Sequence, residues 1–497
     1  PALGAPGLKL VVNGFRVSGN TIYPEAVLLA TIQEFVGKEQ TIDGLNDAAT
    51  KVRAYYRERG YFLSQAYLPQ QEIKDGVVEI AVIEARIGKV AVNFKQGTRY
   101  SERLVRGIVN AHLKEGDLVT ETGLETPLLL LNDFPNAVVT SEIKPSATLG
   151  AADLSVNVSD SGGLVSGQVG IDNFGNRFTG AYRASFSLNL NSPMAIGDQL
   201  AFSAITTDEQ MGIYRAAYTV PFLYWGTRLS ASYTSFHYQL GKAEFHSLQA
   251  HGVGGITSLS AFHPFIRTRG GNLIGQFIYT EKRLDDRVDT QQFRVEDRKV
   301  LTSQIGLVGD LRDGVLGGGL NAFTLGLTEG NVLIGPDNIL ATDLGAQGLQ
   351  TAGRFAKYNF EFRRLQKITD NANLLLSLAG QMASKNLTSA EKFALGGVNG
   401  VRAYPTSEAL GDTGWVFQGE LRYLIPGFKV AGGDVTVSGF YDQGWVQVNE
   451  NNFLNSPVNI RRLSGYGLGA SLGKDSDFLL SLTAALRNED ERPLSDT

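Results

Sequence analysis

Gly396-Gly397-Val398-Asn399-Gly400-Val401-Arg402-Ala403-Tyr404-Pro405 interrupts a chain that reads on both sides as β-strands of alternating polarity. The glycines at 396, 397 and 400 admit positive φ and close backbone approach. A loop so built can fold back into a space too narrow for bulkier residues. It carries one cation, Arg402, set between Val401 and Ala403-Tyr404. Forty positions beyond Arg402 comes Phe440-Tyr441-Asp442-Gln443-Gly444, with its one acid in a strand. Along 434–442, Val435, Val437, Gly439 and Tyr441 share one face, and Asp434, Thr436, Ser438, Phe440 and Asp442 share the other. An acid on the inner face of a rolled sheet is costly without a partner. Arg402 offers a planar, permanently charged fork that suits a carboxylate. The reading therefore places Gly400, Val401, Arg402 and Tyr404 on an inward-folded loop, 385–414, with Arg402 against Asp442.

The flanking strands supply the wall. Trp415, Phe417, Gly419, Leu421, Tyr423 and Ile425 alternate with Val416, Gln418, Glu420, Arg422 and Leu424. Tyr182, Ala184, Phe186, Leu188 and Leu190 oppose Arg183, Ser185, Ser187 and Asn189; Ala356, Tyr358, Phe360 and Phe362 oppose Lys357, Asn359, Glu361 and Arg363. A soluble sandwich turns such a polar face to water, whereas a membrane barrel turns the apolar face to lipid. Two features favour the barrel. The segments run about ten residues, the length of a tilted membrane strand. Aromatics such as Tyr224-Trp225, Trp415 and Trp445 sit near strand ends, as interfacial girdles do. About fifteen segments follow one another from Leu164 to one starting near Phe478, one of them beginning near His246. Short links at 191–196 and 221–226 alternate with longer polar ones at 283–298, 330–352 and 385–414. An odd strand number is unusual for a single-chain bacterial barrel, so a sixteenth, closing strand is expected to be missing after the polar stretch 487–497. The inner faces would carry Arg183, Arg215, Arg228, Lys357, Arg363 and Arg422 against Glu361, Glu420 and Asp442, a net basic lining.

Composition sets limits. The 497 residues carry a net charge of −5 and an isoelectric point of about 5.7, which gives a nucleic-acid partner no general electrostatic support. Cysteine is absent, which removes disulfides, thiolate metal sites and thiol catalysis. Gly is abundant at 58 and Pro sparse at 15, as suits a large antiparallel sheet with many turns. No run approaches the ~20 apolar residues of a membrane helix. The five histidines, His112, His237, His246, His251 and His263, have no helical metal-site spacing, and neither a phosphate-binding loop nor a nucleophile elbow is present. No cofactor, metal or enzymatic step is expected.

Before the barrel, 163–497, the order of elements changes. Leu8–Val17 reads as a strand; Pro24 opens a helix with Val27, Leu28, Ile32 and Phe35 on one face; Thr41 can cap a second helix with Leu45, Ala48, Ala49, Val52 and Tyr55 inward. Gly60 stops it, and strands near 62–68 and 77–83 close a β-α-α-β-β unit over 8–86. A second unit over 87–160 has helices at 101–111 and 123–132, with Pro127 in the first turn of the latter, and closing strands at 138–143 and 154–158. Exposed sheet edges in such units can take up an extended peptide as an added strand.

Val401-Arg402-Ala403-Tyr404 and Phe440-x-Asp442-x-Gly444 resemble the loop-tip and strand signatures of outer-membrane transporters that join POTRA domains to a barrel, with Ala403 standing where that family usually has Gly. Tyr56–Tyr61, followed by Ala66 and Pro69, resembles a POTRA signature, with Gly60 and Tyr61 at its end. Leu131–Asn136, Lys144-Pro145 and Ala152-Asp153-Leu154 resemble the second POTRA domain of two-partner secretion transporters. Over nearly the whole length the chain resembles the TpsB family. That resemblance implies a mainly β protein: two small α+β POTRA domains in the periplasm and a sixteen-stranded antiparallel transmembrane β-barrel in the outer membrane of a Gram-negative bacterium. It implies export of one large β-helical exoprotein of adhesin, haemolysin or contact-inhibition type. Two alternatives stay open: a factor that inserts other barrels into the membrane, and a passive porin.

Overall fold

The computed structural model describes residues 9–176, 178–240, 250–288, 293–475, 477–488 and 493. The chain divides into two compact units at Gly162/Gly163. In the first unit, β1 (Leu10–Val11), β2 (Gly14–Ser18), α1 (Glu25–Thr31), β3 (Glu39–Gln40), α2 (Ile42–Glu58), β4 (Gln65–Tyr67) and β5 (Val77–Ile83) form one module. Its sheet has the order β2-β5-β4, with β5 parallel to β2 and antiparallel to β4. The expected first strand is split. Asn13 breaks it, donating its N–H to Gly76 O at 2.8 Å and its side-chain amide to Asp75 O at 2.9 Å. Thr41 Oγ1 accepts from Gly44 N–H at 3.2 Å and caps α2. The buried stripe of α2 is Leu45, Ala48, Ala49, Val52 and Tyr56. Two placements differ from the periodicity reading. Val27 is exposed, because the seven-residue α1 turns only Leu28 fully inward. Tyr56, not Tyr55, completes the α2 stripe, because its hydroxyl has a buried carboxylate to meet.

A second module repeats this topology with β6 (Arg86–Phe94), α3 (Glu102–His112), α4 (Glu121–Asn132), β7 (Ala137–Pro145) and β8 (Ala151–Asp160), ordered β6-β8-β7. Thr120 Oγ1 caps α4 by accepting from Gly123 N–H at 3.1 Å. The helix therefore starts earlier than expected, and Pro127 lies buried inside it rather than in its first turn. In both modules the last strand is central, and the first and middle strands are the edges.

The second unit is one antiparallel sheet. β9 (Val165–Asp172), β10 (Arg183–Asn191), β11 (Gln199–Thr207), β12 (Gly212–Phe222), β13 (Thr227–Gln239), β14 (Ala250–Arg267), β15 (Gly271–Val288) and β16 (Phe293–Asp313) come first. Then follow β17 (Gly319–Ile334), the short helix α5 (Asp337–Leu344), β18 (Gly353–Lys367) and β19 (Ala372–Ala383). The stem strands β20 (Phe393–Ala394) and β21 (Leu410–Gly411) precede β22 (Thr413–Val430), β23 (Gly433–Gln447), β24 (Ile460–Lys474) and β25 (Phe478–Arg487). Leaving out β20 and β21, fifteen strands pair in chain order from β9 to β25. The segment start expected near His246 lies outside the described residues.

The alternation works as a lipid-facing belt. Phe186, Tyr233, Ile305, Tyr358, Leu421 and Leu468 are all exposed on one face. Such apolar exposure suits a surface whose solvent is lipid, not water. Trp415 lies directly opposite Trp445 towards one end of the strands, and exposed Trp225 lies in a turn at the other. Two expected loops are shorter than the polarity suggested. β15 and β16 continue as a paired hairpin through 283–288 and 293–298, and β17 runs to Ile334 before α5. Charges of the first hairpin pair with each other, as in Arg287–Asp285 at 2.9 Å, so its polarity marks departure from lipid and not the end of strand pairing. The added residues of β17, 330–334, carry no charge, and Val332 is buried there with Val300, Phe355 and Leu387. β9 and β25, first and fifteenth of an alternating series, run in the same direction, and no pairing joins them among the described residues. One more strand running oppositely would complete the antiparallel order; the expected sixteenth is not among the described residues.

Candidate functional site

The residues between β19 and β22 fold against the inner face of the sheet. β20 pairs with β21 as a stem, and Leu395 N–H donates to Ala409 O at 2.9 Å. Beyond the stem the chain closes on itself: Val401 N–H donates to Leu395 O at 2.8 Å, Gly397 N–H to Tyr404 O at 3.1 Å, and Tyr404 N–H to Val401 O at 3.1 Å. A side chain at Gly400 would put a Cβ 1.9 Å from Leu395 O, so the tight crossing there requires glycine. Val401 and Tyr404 are buried in a small apolar cluster with Leu395, Ala409, Val416, Val446 and Leu463. The tip thus has a core of its own, made half of loop and half of wall.

Arg402 projects from this tip. Its backbone N–H and its Nε both donate to Asp442 Oδ2, at 3.0 and 2.8 Å, and its Nη2 donates to Oδ1 at 2.7 Å. Nη1 reaches Glu420 Oε2 at 2.6 Å, and Arg422 Nε donates to Glu420 Oε1 at 2.8 Å. The guanidinium carbon lies 3.6 Å from the Phe440 ring centroid, a cation–π stack. Asp442 has no exposed surface. Two cations and two anions make the cluster neutral, and the bidentate fork fixes its geometry. Gln418, directly opposite Asp442, donates to Gly400 O at 2.8 Å.

Four more ion pairs hold the loop. Glu391 takes Lys282 of β15 at 2.7 Å and Lys357 of β18 at 2.9 Å. Lys392 meets fully buried Asp412 at 2.7 Å, and Arg461 of β24 meets Glu408 at 3.2 Å. Sequence reasoning did not single out Glu391, Lys392, Glu408, Asp412, Lys282 or Arg461. The four loop residues among them match an ordinary polar loop in type and spacing, and only its inward course buries them; Lys282 and Arg461 are strand residues that it meets.

The other candidate residues fall as follows. Register places Arg183, Arg215, Arg228, Lys357, Glu361, Arg363, Glu420 and Arg422 on the face that carries Asp442. Several are ion-paired: Arg183 with Asp172 at 2.7 Å and Arg363 with Glu361 at 2.5 Å, besides Lys357 and Arg422. Asp172 and Glu391 add acids that the expected basic lining did not include. In the first module Gly60, at φ +87°, ends α2, and its carbonyl accepts from Glu121 N–H of the second module at 2.9 Å. Tyr61 sets its ring edge-on to Tyr23 and Tyr56. Below that cluster Glu84 accepts from Thr21 N–H, Ile22 N–H and Tyr56 Oη, each at 2.8 Å, and also from Thr21 Oγ1. Burial pushes the Glu84 carboxyl up, and these four hydrogen bonds outweigh it, holding the group below the ordinary glutamate range. Burial and the adjacent carboxylate drive the Tyr56 hydroxyl far up, so it stays a donor.

Residues 150–472 match the family described as haemolysin secretion/activation protein ShlB/FhaC/HecB. The chain belongs to that family. Residues 10–85 match the POTRA domain of ShlB type. Among relatives, the "Heme/hemopexin transporter protein HuxB" of Haemophilus influenzae is 26% identical over 91% of this chain and 79% of its own length. The "Outer membrane transporter CdiB" of Dickeya dadantii is 24% identical over 86% and 75%. The solved structure of CdiB from Escherichia coli superposes with a TM-score of 0.76 at 22% identity, covering 97% of this chain and 88% of that one, and so shares the fold. The protein is an outer-membrane, POTRA-bearing β-barrel of the two-partner secretion type, with its POTRA region in the periplasm. Among the described residues no helix is long and apolar enough to cross a membrane; the strands do so.

Proposed function

We propose that this translocator holds one large β-helical exoprotein, of adhesin, haemolysin or contact-inhibition type, through two successive POTRA modules, 8–86 and 87–160, and passes it through the barrel in extended form. The observation that carries the reading is the inward loop. It occupies the lumen yet is attached largely through side chains: Arg402, Glu391 and Glu408 meet barrel-wall residues as ion pairs. Attachments of this kind can be broken and remade without unpairing any wall strand, which is what a gate needs. The edges β2, β4, β6 and β7 supply places where an extended client can add as a strand. No covalent step is assigned to the chain; folding of the client outside would bias its movement outward. The test is co-expression with an exoprotein encoded beside it. Deleting residues 8–86 is expected to leave an inserted, heat-modifiable barrel and to abolish export. Export at the full-length level from that deletion would overturn the capture role.

A further inference from the structure

β24 turns four glycines to the lumen: Gly465, Gly467, Gly469 and Gly473. Two of them lie beneath the gate. An ideal Cβ built on Gly465 would come 2.4 Å from Ala403 Cβ, far inside van der Waals contact. One built on Gly467 would come 2.2 Å from Ala484 O of β25 and 2.4 Å from Phe440 Cζ, the ring on which the Arg402 guanidinium stacks. Ala403 is the residue after Arg402, so its methyl and the guanidinium are carried by the same tip. Directly across β23 from this strand, Asp442 pairs with Gly465 and Phe440 with Gly467. The bare backbone of β24 therefore sits beside each half of the arginine site.

We infer that Gly465 is a positioning residue for the gate: its missing side chain is the socket for the Ala403 methyl, and that fit brings Arg402 onto Asp442 and Glu420. Gly467 acts one step further on, letting the Phe440 ring lie flat under the guanidinium. Phe440 stacks on the guanidinium and Ala403 adjoins Arg402 in the chain, so a displacement of either costs the same bidentate contact. The seat is steric, and the ion pair reports whether it is occupied. The importance of the seat for export rests on the gate reading above; its geometry does not, and the test reads the geometry directly.

The chain contains no cysteine, so a single introduced thiol is a clean reporter. Ala409→Cys places it in the buried cluster beside the tip, where the native residue is 4% exposed. Intact protein in outer-membrane vesicles is treated with a membrane-impermeant maleimide, and folding is checked by heat-modifiable migration. The A409C parent should label slowly. Adding Gly465→Ala should speed labelling about tenfold or more, as overpacking of a closed contact does. Adding Ala403→Gly to that variant should return the rate to the parent's. Gly439→Ala, on the lipid side where a Cβ meets nothing closer than Leu468 Cδ2 at 3.8 Å, should change nothing. A Cβ at 465 also comes 2.9 Å from Leu486 O of β25. Failure of Ala403→Gly to restore slow labelling would assign the effect to that carbonyl and overturn the inference. So would parent-like labelling of G465A, or rapid labelling of the parent itself. None of these outcomes depends on cargo, so they stand or fall apart from export.

Discussion

Asp442 is the residue on which the loop depends most. Three donors reach its two oxygens, all from Arg402, and it has no exposed surface. Asp442→Ala should therefore leave the guanidinium with Glu420 as its one remaining carboxylate, a loss of up to roughly 3–5 kcal/mol for a broken buried pair. The double variant with Arg402→Ala should cost less than the sum of the singles, because each already removes the same contact. Hydrogen exchange across 395–410 measures this directly; additive effects would show that the two act separately. Arg402→Lys keeps the charge but loses the fork, and should loosen the tip nearly as much as alanine does. The placement of Arg402 against Asp442 was legible because both residues break a pattern: one a glycine-rich stretch among strands, the other an acid on an inward position. Lys282 with Glu391, and Arg461 with Glu408, were not. Nothing local distinguishes a buried loop carboxylate from a solvated one, and the partners come from strands far away in the chain.

At the level of elements the first module offers the clearest test. Glu84 follows β5 directly and joins α2, through Tyr56, to the 21–22 turn. Its carboxyl titrates below the ordinary value, so its contribution is complete above the unfolded value of about 4.3 and is lost as pH falls through the lower folded value. Hydrogen-exchange protection of 10–85 in the intact protein, corrected for the intrinsic pH dependence of amide exchange, should hold steady from neutral pH to about pH 5 and fall below about pH 4. Glu84→Gln should flatten that acid dependence and raise exchange at neutral pH. An unchanged acid profile would mean that Glu84 does not govern it. Strand existence was readable almost throughout, since alternation against lipid is a period-2 signal sustained over each crossing. Strand ends were not. β16 begins at Phe293 and β17 ends at Ile334, because ladder pairing continues beyond the lipid, where Val300 and Val332 pack with Phe355 and Leu387. The start of α4 depended on Thr120, a cap whose choice over neighbouring candidates is made by the Gly123 N–H it meets.

For the whole molecule, the lumen and the lipid surface are set by one alternation carried across fifteen strands. The inner face bears Arg215, Arg228 and Arg422, while Asp172 and Glu391 offset Arg183 and Lys357. Planar-bilayer recordings should show a mild anion preference, less than a lining of unpaired cations would give. Glu391→Gln removes one of the acids and should strengthen it; cation selectivity would contradict the placement of these faces. The shared topology of the two periplasmic modules has a mechanical consequence. The chain leaves each module by its central strand, β5 or β8, which is hydrogen-bonded on both sides. Tension running along the chain from the membrane therefore loads two ladders in shear at once. A client strand added at an edge is held by one ladder only. On the proposed capture, a client pulled outward through the pore would part at that single ladder first, and the modules would remain folded for the next segment.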